Sequence, residues 1–122
     1  MGGGNVRNLD TLEIAKDIIT ALDEKKGEDI ILLDVRQRFP FADYFLICSG
    51  SSNRMLKGLA EAVEEAVKQK YGLGGRVEGV PEDGWLLIDF GDIIVNLFSY
   101  AQREYYRLED LWREAKVVLR LQ

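Results

Sequence analysis

The sequence predicts a single domain of the α/β or α+β class, in which helices flank a mixed β-sheet. Short, continuously apolar runs, longer segments with apolar residues at helical spacing, and one clear hairpin pattern support this class. With 122 residues, of which 47% are hydrophobic, the chain is long enough for one compact core and short for two. We expect a flexible leader at residues 1–8, one domain at 9–116 and a tail at 117–122.

The first half of the domain contains one helix and two strands. Residues 10–26 place apolar side chains at helical spacing, and Asp10 and Glu13 stand where the two partners of a capping box are expected. Residues 29–35 and 44–49 are short, branched, apolar runs, typical of buried strands. The expected order is therefore helix, strand, strand.

The second half begins with another amphipathic helix, which ends near residue 71. Residues 76–78 have the pattern of a short strand, and residues 85–90 and 93–98 have that of a hairpin joined by a two-residue turn. Apolar spacing after residue 105 indicates a last helix. The apolar residues 117–121 fit either a strand or coil.

Composition excludes several classes of function. The 21 acidic and 16 basic residues give a net charge of -5, which disfavours nucleic acid as the main partner. The chain has no histidine, so histidine-dependent catalysis is excluded, and its single cysteine, Cys48, fits a reducing cytosolic compartment. No apolar run approaches the roughly 20 residues that a membrane helix needs. We expect a cytoplasmic protein without a metal or cofactor.

A Gly-Ser turn precedes the second helix and admits two interpretations. Gly50 and Ser51 stand where backbone amides at a helix N-terminus bind phosphate, but the same pattern is typical of an ordinary N-cap, which we favour. Nucleotidyltransferases combine such a turn with two strand carboxylates at alternate positions, which hold magnesium. Here Asp89 and Asp92 are three residues apart, with Gly91 between them. A nucleotide-binding enzyme is therefore the alternative, not the main expectation.

Aromatic residues suggest binding surfaces. The run from Arg103 to Arg107 interleaves arginines with tyrosines, as in RNA-binding segments, but neighbouring acids favour packing and ion pairs on a helix face. Trp85 and Trp112 are side chains of the kind enriched in protein interfaces, and either also fits a core. Because side chains alternate along a strand, Leu86 faces away from Trp85 and Leu87, and we expect Trp85 outward.

Several motifs together resemble the ribosomal silencing factor family, RsfS or Iojap. They are DIILLDV at 29–35, ADYFLICSGSSNR at 42–54, Glu-Gly at 78–79, WLLIDFGDIIVNLF at 85–98 and YYRLEDLW at 105–112. The resemblance covers residues 9–115 in the same order. The tryptophan-led hairpin followed by the Tyr-x-Leu-Glu-x-Leu-Trp helix is its most specific part.

The resemblance implies a nucleotidyltransferase-like fold without catalysis. It also implies binding to protein fourteen of the large ribosomal subunit, so that the small subunit is sterically blocked and translation is repressed. By motif position, the implied partner-binding residues are Trp85, Leu86, Leu87, Asp89, Asp92, Tyr105, Tyr106, Leu108 and Trp112.

This chain departs from the family pattern at two positions, because it has Met55 and Asn96 where relatives often carry histidine. Any histidine-dependent role is therefore absent.

The apolar hairpin and tail also favour a homodimer, since such surfaces need cover.

Overall fold

The computed structural model describes residues 3–37, 39–106, 110 and 115–121, with side chains described from residue 11 onward except at 105 and 106. Six strands form one sheet in the order β3-β4-β5-β2-β1-β6, in which β2 and β5 are parallel and every other neighbouring pair is antiparallel. The predicted mixed sheet is confirmed. The elements are α1 Gly3–Glu24, β1 Glu28–Asp34, β2 Tyr44–Ser49, α2 Asn53–Tyr71, β3 Arg76–Val80, a 3-10 turn Pro81–Asp83, β4 Trp85–Asp89, β5 Ile93–Phe98, α3 Tyr100–Tyr106 and β6 Lys116–Leu121.

Helices α1 and α2 cover one face of the sheet, which we call the front face. Ile18 of α1, Val63 of α2 and Leu46 of β2 are all fully buried in the cluster between these layers. Ser52 caps α2, since its hydroxyl accepts a 3.1 Å hydrogen bond from the Met55 amide, and Gly72 ends the helix with a φ of 69°. The N-cap interpretation of the Gly-Ser turn is confirmed.

A smaller cluster lies on the opposite, back face of the sheet. Ile31, Ile47 and Phe98 form part of this cluster, and the partly buried rings of Phe39 and Trp85 pack against it. The back face of β4 and β5 is only partly covered, because Leu87 and Ile94 retain intermediate exposure. This face therefore offers a surface on which a partner can dock.

The ends of the chain differ from the sequence prediction. Asp10 lies inside α1, which begins at Gly3, so its prediction as an N-cap is wrong; residues 3–9 contain no proline that would end the helix. Residues 3–8 of the predicted leader belong to this helix. The segment left open between strand and coil is strand β6, paired with β1. None of the helices in the described part of the chain is long and apolar enough to span a membrane.

Candidate interaction surface

The β4–β5 hairpin forms as the sequence predicts. Its turn consists of Gly91 and Asp92, and the Phe90 amide donates a 2.9 Å hydrogen bond to the Ile93 carbonyl. Gly91 has a φ of 93°, a conformation that favours glycine, and its amide donates to Asp89 Oδ1 at 2.8 Å. The turn residues therefore fix the hairpin locally.

Alternation along β4 separates its side chains into a buried set and a surface set. Leu86 is 3% exposed and Ile88 is fully buried under the helices, whereas Trp85, Leu87 and Asp89 retain intermediate exposure. Trp85, expected to point outward, lies on the back face with intermediate exposure, because its ring packs against the smaller cluster. Leu86, implied as a partner-binding residue, belongs instead to the core because its neighbours on the strand occupy the other face.

The backbone of β3 at Gly79 lies close to Trp85. The Trp85 ring and carbonyl lie so close to Gly79 that a Cβ there would be 2.6 Å from the Trp85 oxygen and 3.0 Å from Cε3. Gly79 also has a φ of 88°. Glycine at this position therefore lets β3 approach the tryptophan, whose other neighbour across the sheet is Phe98 of β5.

Charges around this surface are mostly negative. Arg76 is 3.1 Å from Glu78 and 3.7 Å from Asp89, so it pairs with both carboxylates. Glu82 and Asp83 in the 3-10 turn are exposed and add further negative charge. We call the back-face residues Trp85, Leu87 and Asp89, together with exposed Val80 and this acidic rim, the hairpin surface.

Asp92 lies at the other side of the turn from Asp89. Its backbone carbonyl accepts hydrogen bonds from the Asp43 and Tyr44 amides, at 2.8 and 3.1 Å. Burial, and secondly the charge of Asp92, raise the pKa of Asp43. The turn is thereby tied to the start of β2.

The Gly-Ser turn and the hairpin carboxylates lie at opposite ends of β2. Gly50 follows Ser49, which pairs with Phe98, whereas Tyr44 at the other end pairs with Ile93 next to Asp92. Five residue steps along β2 separate these ends by about 16 Å. Asp89, Asp92 and Gly50 therefore do not form the transferase arrangement considered from the sequence.

The thiol of Cys48 is buried in the fold. Burial raises the pKa of the Cys48 thiol to about 12, so it is protonated at neutral pH and is a poor nucleophile. Among the described residues, no group of three Cys, Asp or Glu side chains has an arrangement that would hold a metal ion.

Arg103, which the sequence suggested as part of an RNA-stacking run, is 4% exposed and donates hydrogen bonds to the Asp29 carbonyl (2.9 Å) and Ser49 Oγ (2.7 Å). Packing was the favoured interpretation of this run, but the partners of Arg103 on β1 and β2 were not foreseen from the sequence. Tyr105 and Tyr106, two of the implied contacts on the last helix, form the end of α3, but their side chains lie outside the described part of the structure. Leu108 and Trp112 lie wholly outside the described residues.

Fold and surface together define the class: a small α+β domain with an apolar, acid-rimmed sheet face suited to binding a protein. Comparison with known proteins gives the family. A sequence profile described as "Ribosomal silencing factor during starvation" matches residues 8–122. The chain is 37% identical to ribosomal silencing factor RsfS of Bacillus subtilis, over 84% of this chain and 86% of that protein.

Two other relatives agree with this match. A crystal structure of a Chromobacterium violaceum protein has a TM-score of 0.78 and 37% identity, covering 83% of this chain and 84% of that chain. The mouse protein named "Mitochondrial assembly of ribosomal large subunit protein 1" is 31% identical over 78% of this chain and 43% of its own length. The chain belongs to the ribosomal silencing factor family, and the predicted family is confirmed.

Proposed function

We propose that this protein represses translation by binding protein fourteen of the large ribosomal subunit, so that the bound domain blocks the small subunit from joining. Family membership and the name shared by its bacterial relatives support a silencing role. The name of the mouse relative supports the large subunit as the partner. A ribosomal partner implies a cytoplasmic location in a bacterial cell.

The observation that carries this proposal is the partly exposed row of Trp85 and Leu87 on the back face. Tryptophan contributes strongly to protein interfaces when part of its ring is already held in place and the rest is covered by the partner. Trp85 meets this condition, because it packs against the back-face cluster and retains exposed surface. It is therefore the expected central contact.

Charge favours a basic protein as the partner. The segment from Arg76 to Asp89 carries one arginine against Glu78, Glu82, Asp83 and Asp89. Complementary charge accelerates encounter with a basic ribosomal protein, whereas the apolar side chains provide most of the affinity. The same charge opposes direct binding to ribosomal RNA.

A binding role also fits the chemistry better than catalysis does. The hairpin carboxylates are at the opposite end of β2 from the Gly-Ser turn, and the Ser52 hydroxyl is used as a helix cap. We therefore propose that the protein acts without catalysis or a cofactor. Nucleotide binding at Gly50 is the alternative, and magnesium-dependent binding of a nucleotide would favour it.

The test is to measure binding of the purified protein to isolated protein fourteen and to large subunits. Leu87→Ala removes an apolar side chain from the hairpin surface. Its matched control is Leu119→Ala, which truncates a leucine that is 39% exposed on β6 at the far edge of the sheet. Trp85→Ala is the stronger variant, and circular dichroism establishes that each variant is folded. We expect Trp85→Ala to weaken binding by about 100-fold, which corresponds to a loss of about 2.7 kcal/mol.

Subunit joining provides the functional readout. Wild-type protein should lower the yield of joined ribosomes in a sucrose gradient, Leu119→Ala should act like wild type, and Trp85→Ala should not act. Equal binding by wild type and folded Trp85→Ala would remove the hairpin surface from the mechanism. Absence of wild-type binding to both partners would end the silencing proposal.

A further inference from the structure

A cavity of about 330 Å³ opens beside the hairpin turn on the front face, opposite the hairpin surface. Ile14 of α1, Leu73 after α2, and Phe90 and Ile93 of the hairpin form its apolar walls. Ile14 and Ile93 are buried, whereas Leu73 is 43% exposed and borders solvent. Its volume is at the lower end of the range of about 300–1,000 Å³ for ligand sites, so it suits one side chain better than a large cofactor.

Asp92 is the charged residue in the described lining of this cavity. It has intermediate exposure, and within the described part of the chain no ion pair joins its carboxylate to a cation. Asp43 lies near enough for its charge to interact with that of Asp92, although Arg36 partly offsets the charge of Asp43. An apolar cavity with one carboxylate selects a ligand that has an apolar stem and a positive end.

Arginine and lysine side chains have this chemistry, because their aliphatic stems pack on apolar surface while the charged group remains at the rim. We propose that the cavity receives an arginine or lysine side chain of the basic ribosomal protein, with its stem against Ile14 and Phe90 and its cation at Asp92. This inference rests on the proposed function, since it names a second contact with the same partner.

The position of the turn makes both contacts compatible. Asp89 lies on the back face with Trp85, whereas Asp92, two residues beyond Phe90, lines the front-face cavity. A partner segment that crosses the turn therefore contacts Asp89 on one face and the cavity on the other. Trp85 lies at the opposite end of β4 from this turn. The contact at Trp85 and the contact at the cavity can therefore be removed by separate mutations.

The first experiment compares binding to protein fourteen for wild type, Asp92→Asn and the matched control Asp23→Asn. Asp23 is an exposed acid near the end of α1, outside the cavity lining, so its substitution removes the same charge elsewhere. We expect Asp92→Asn to weaken binding about tenfold, the effect of losing one hydrogen bond between charged groups, and Asp23→Asn to have little effect. Leu73→Trp, which fills the mouth of the cavity, should also weaken binding and supplies a second variant.

The second experiment needs no partner. N-butylguanidinium is titrated into the ¹⁵N-labelled protein, and we expect the amide signals of Gly91, Asp92 and Ile93 to shift first in wild type and much less in Asp92→Asn. Unchanged signals near the cavity would overturn the inference.

The two proposals fail in different ways. If Trp85→Ala abolishes binding while Asp92→Asn and Leu73→Trp bind like wild type, the cavity inference is wrong and the silencing proposal stands. If wild type does not bind protein fourteen, the proposed function and the assigned partner both fail, and the guanidinium titration alone decides whether the cavity accepts a cation.

Discussion

Arg103 of α3 reaches across to Asp29 at the start of β1, with 3.6 Å between Nη2 and the Asp29 carboxylate. The same guanidinium donates to the Asp29 carbonyl and the Ser49 hydroxyl, and its side chain is almost wholly buried. Asp29 has a φ of 50° and also pairs with Arg120 of β6, at 3.3 Å. Two elements from the end of the chain are therefore attached to one residue of β1.

We expect Arg103→Ala to lower the free energy of unfolding by about 2–3 kcal/mol, because it removes buried hydrogen bonds and leaves their acceptors without a donor. Arg120→Ala is the control. It removes an exposed ion pair to the same aspartate and should cost less than about 1 kcal/mol. Urea unfolding followed by circular dichroism measures both, and equal losses would contradict the special role of Arg103.

Gly79→Ala should be strongly destabilising. The added Cβ would contact the Trp85 carbonyl at 2.6 Å in a backbone conformation that alanine rarely adopts, at a cost of about 2–3 kcal/mol. Gly58→Ala provides the opposite case, because a Cβ at this position in α2 meets nothing within 4 Å. It should stabilise the helix by about 0.5–1 kcal/mol. Thermal unfolding of the two variants should therefore shift in opposite directions.

The interactions of Asp17 predict that the stability of the fold depends on pH. Hydrogen bonds from the Tyr71 hydroxyl and then from Lys70, whose nitrogen is 2.9 Å away, lower the pKa of Asp17 below its ordinary value of 3.8. A lowered folded-state pKa stabilises the fold above the unfolded pKa, and this contribution is lost as pH falls through the folded value. Asp17→Asn should therefore cost about 0.5–1 kcal/mol at pH 7, with the difference from wild type decreasing below about pH 4.

Urea unfolding of Asp17→Asn and wild type at pH 7 and at pH 3 tests this expectation. Asp23→Asn, at an exposed position on the same helix, is the control for charge alone. A difference that stays constant with pH would show that Asp17 acts through packing and not through its charge.

Homodimerisation through the hairpin or tail stays a prediction, and the sheet order makes it more specific. Both hairpin strands have a neighbour on each side, whereas β6 is at an edge and exposes Val117, Val118 and Leu119. Self-association by backbone pairing should therefore use β6, and Val118→Lys should weaken it. Val77→Lys on the other edge strand, β3, should not. Sedimentation over a range of concentrations measures this, and a wild-type monomer throughout would refute the dimer.

Local chemistry explains which parts of the site were predictable. Glycine and aspartate at the turn and alternation along β4 specify the hairpin and separate the side of Trp85 from the helix-covered side of the strand within a few residues. The pairing of β6 with β1 and the burial of Arg103 depend on contacts between distant segments, for which the apolar pattern gives no register. The cavity likewise combines residues from α1, a loop and the hairpin.

The place of β6 in the sheet affects how the chain folds while it is being synthesised. β1 ends at Asp34, and its partner β6 begins only at Lys116. At about 5–20 residues per second, the intervening stretch of about 80 residues takes roughly 4–16 s to make. During those seconds one edge of an apolar strand in the nascent chain has no partner of its own. Other emerging chains, or a chaperone, can reach that edge first.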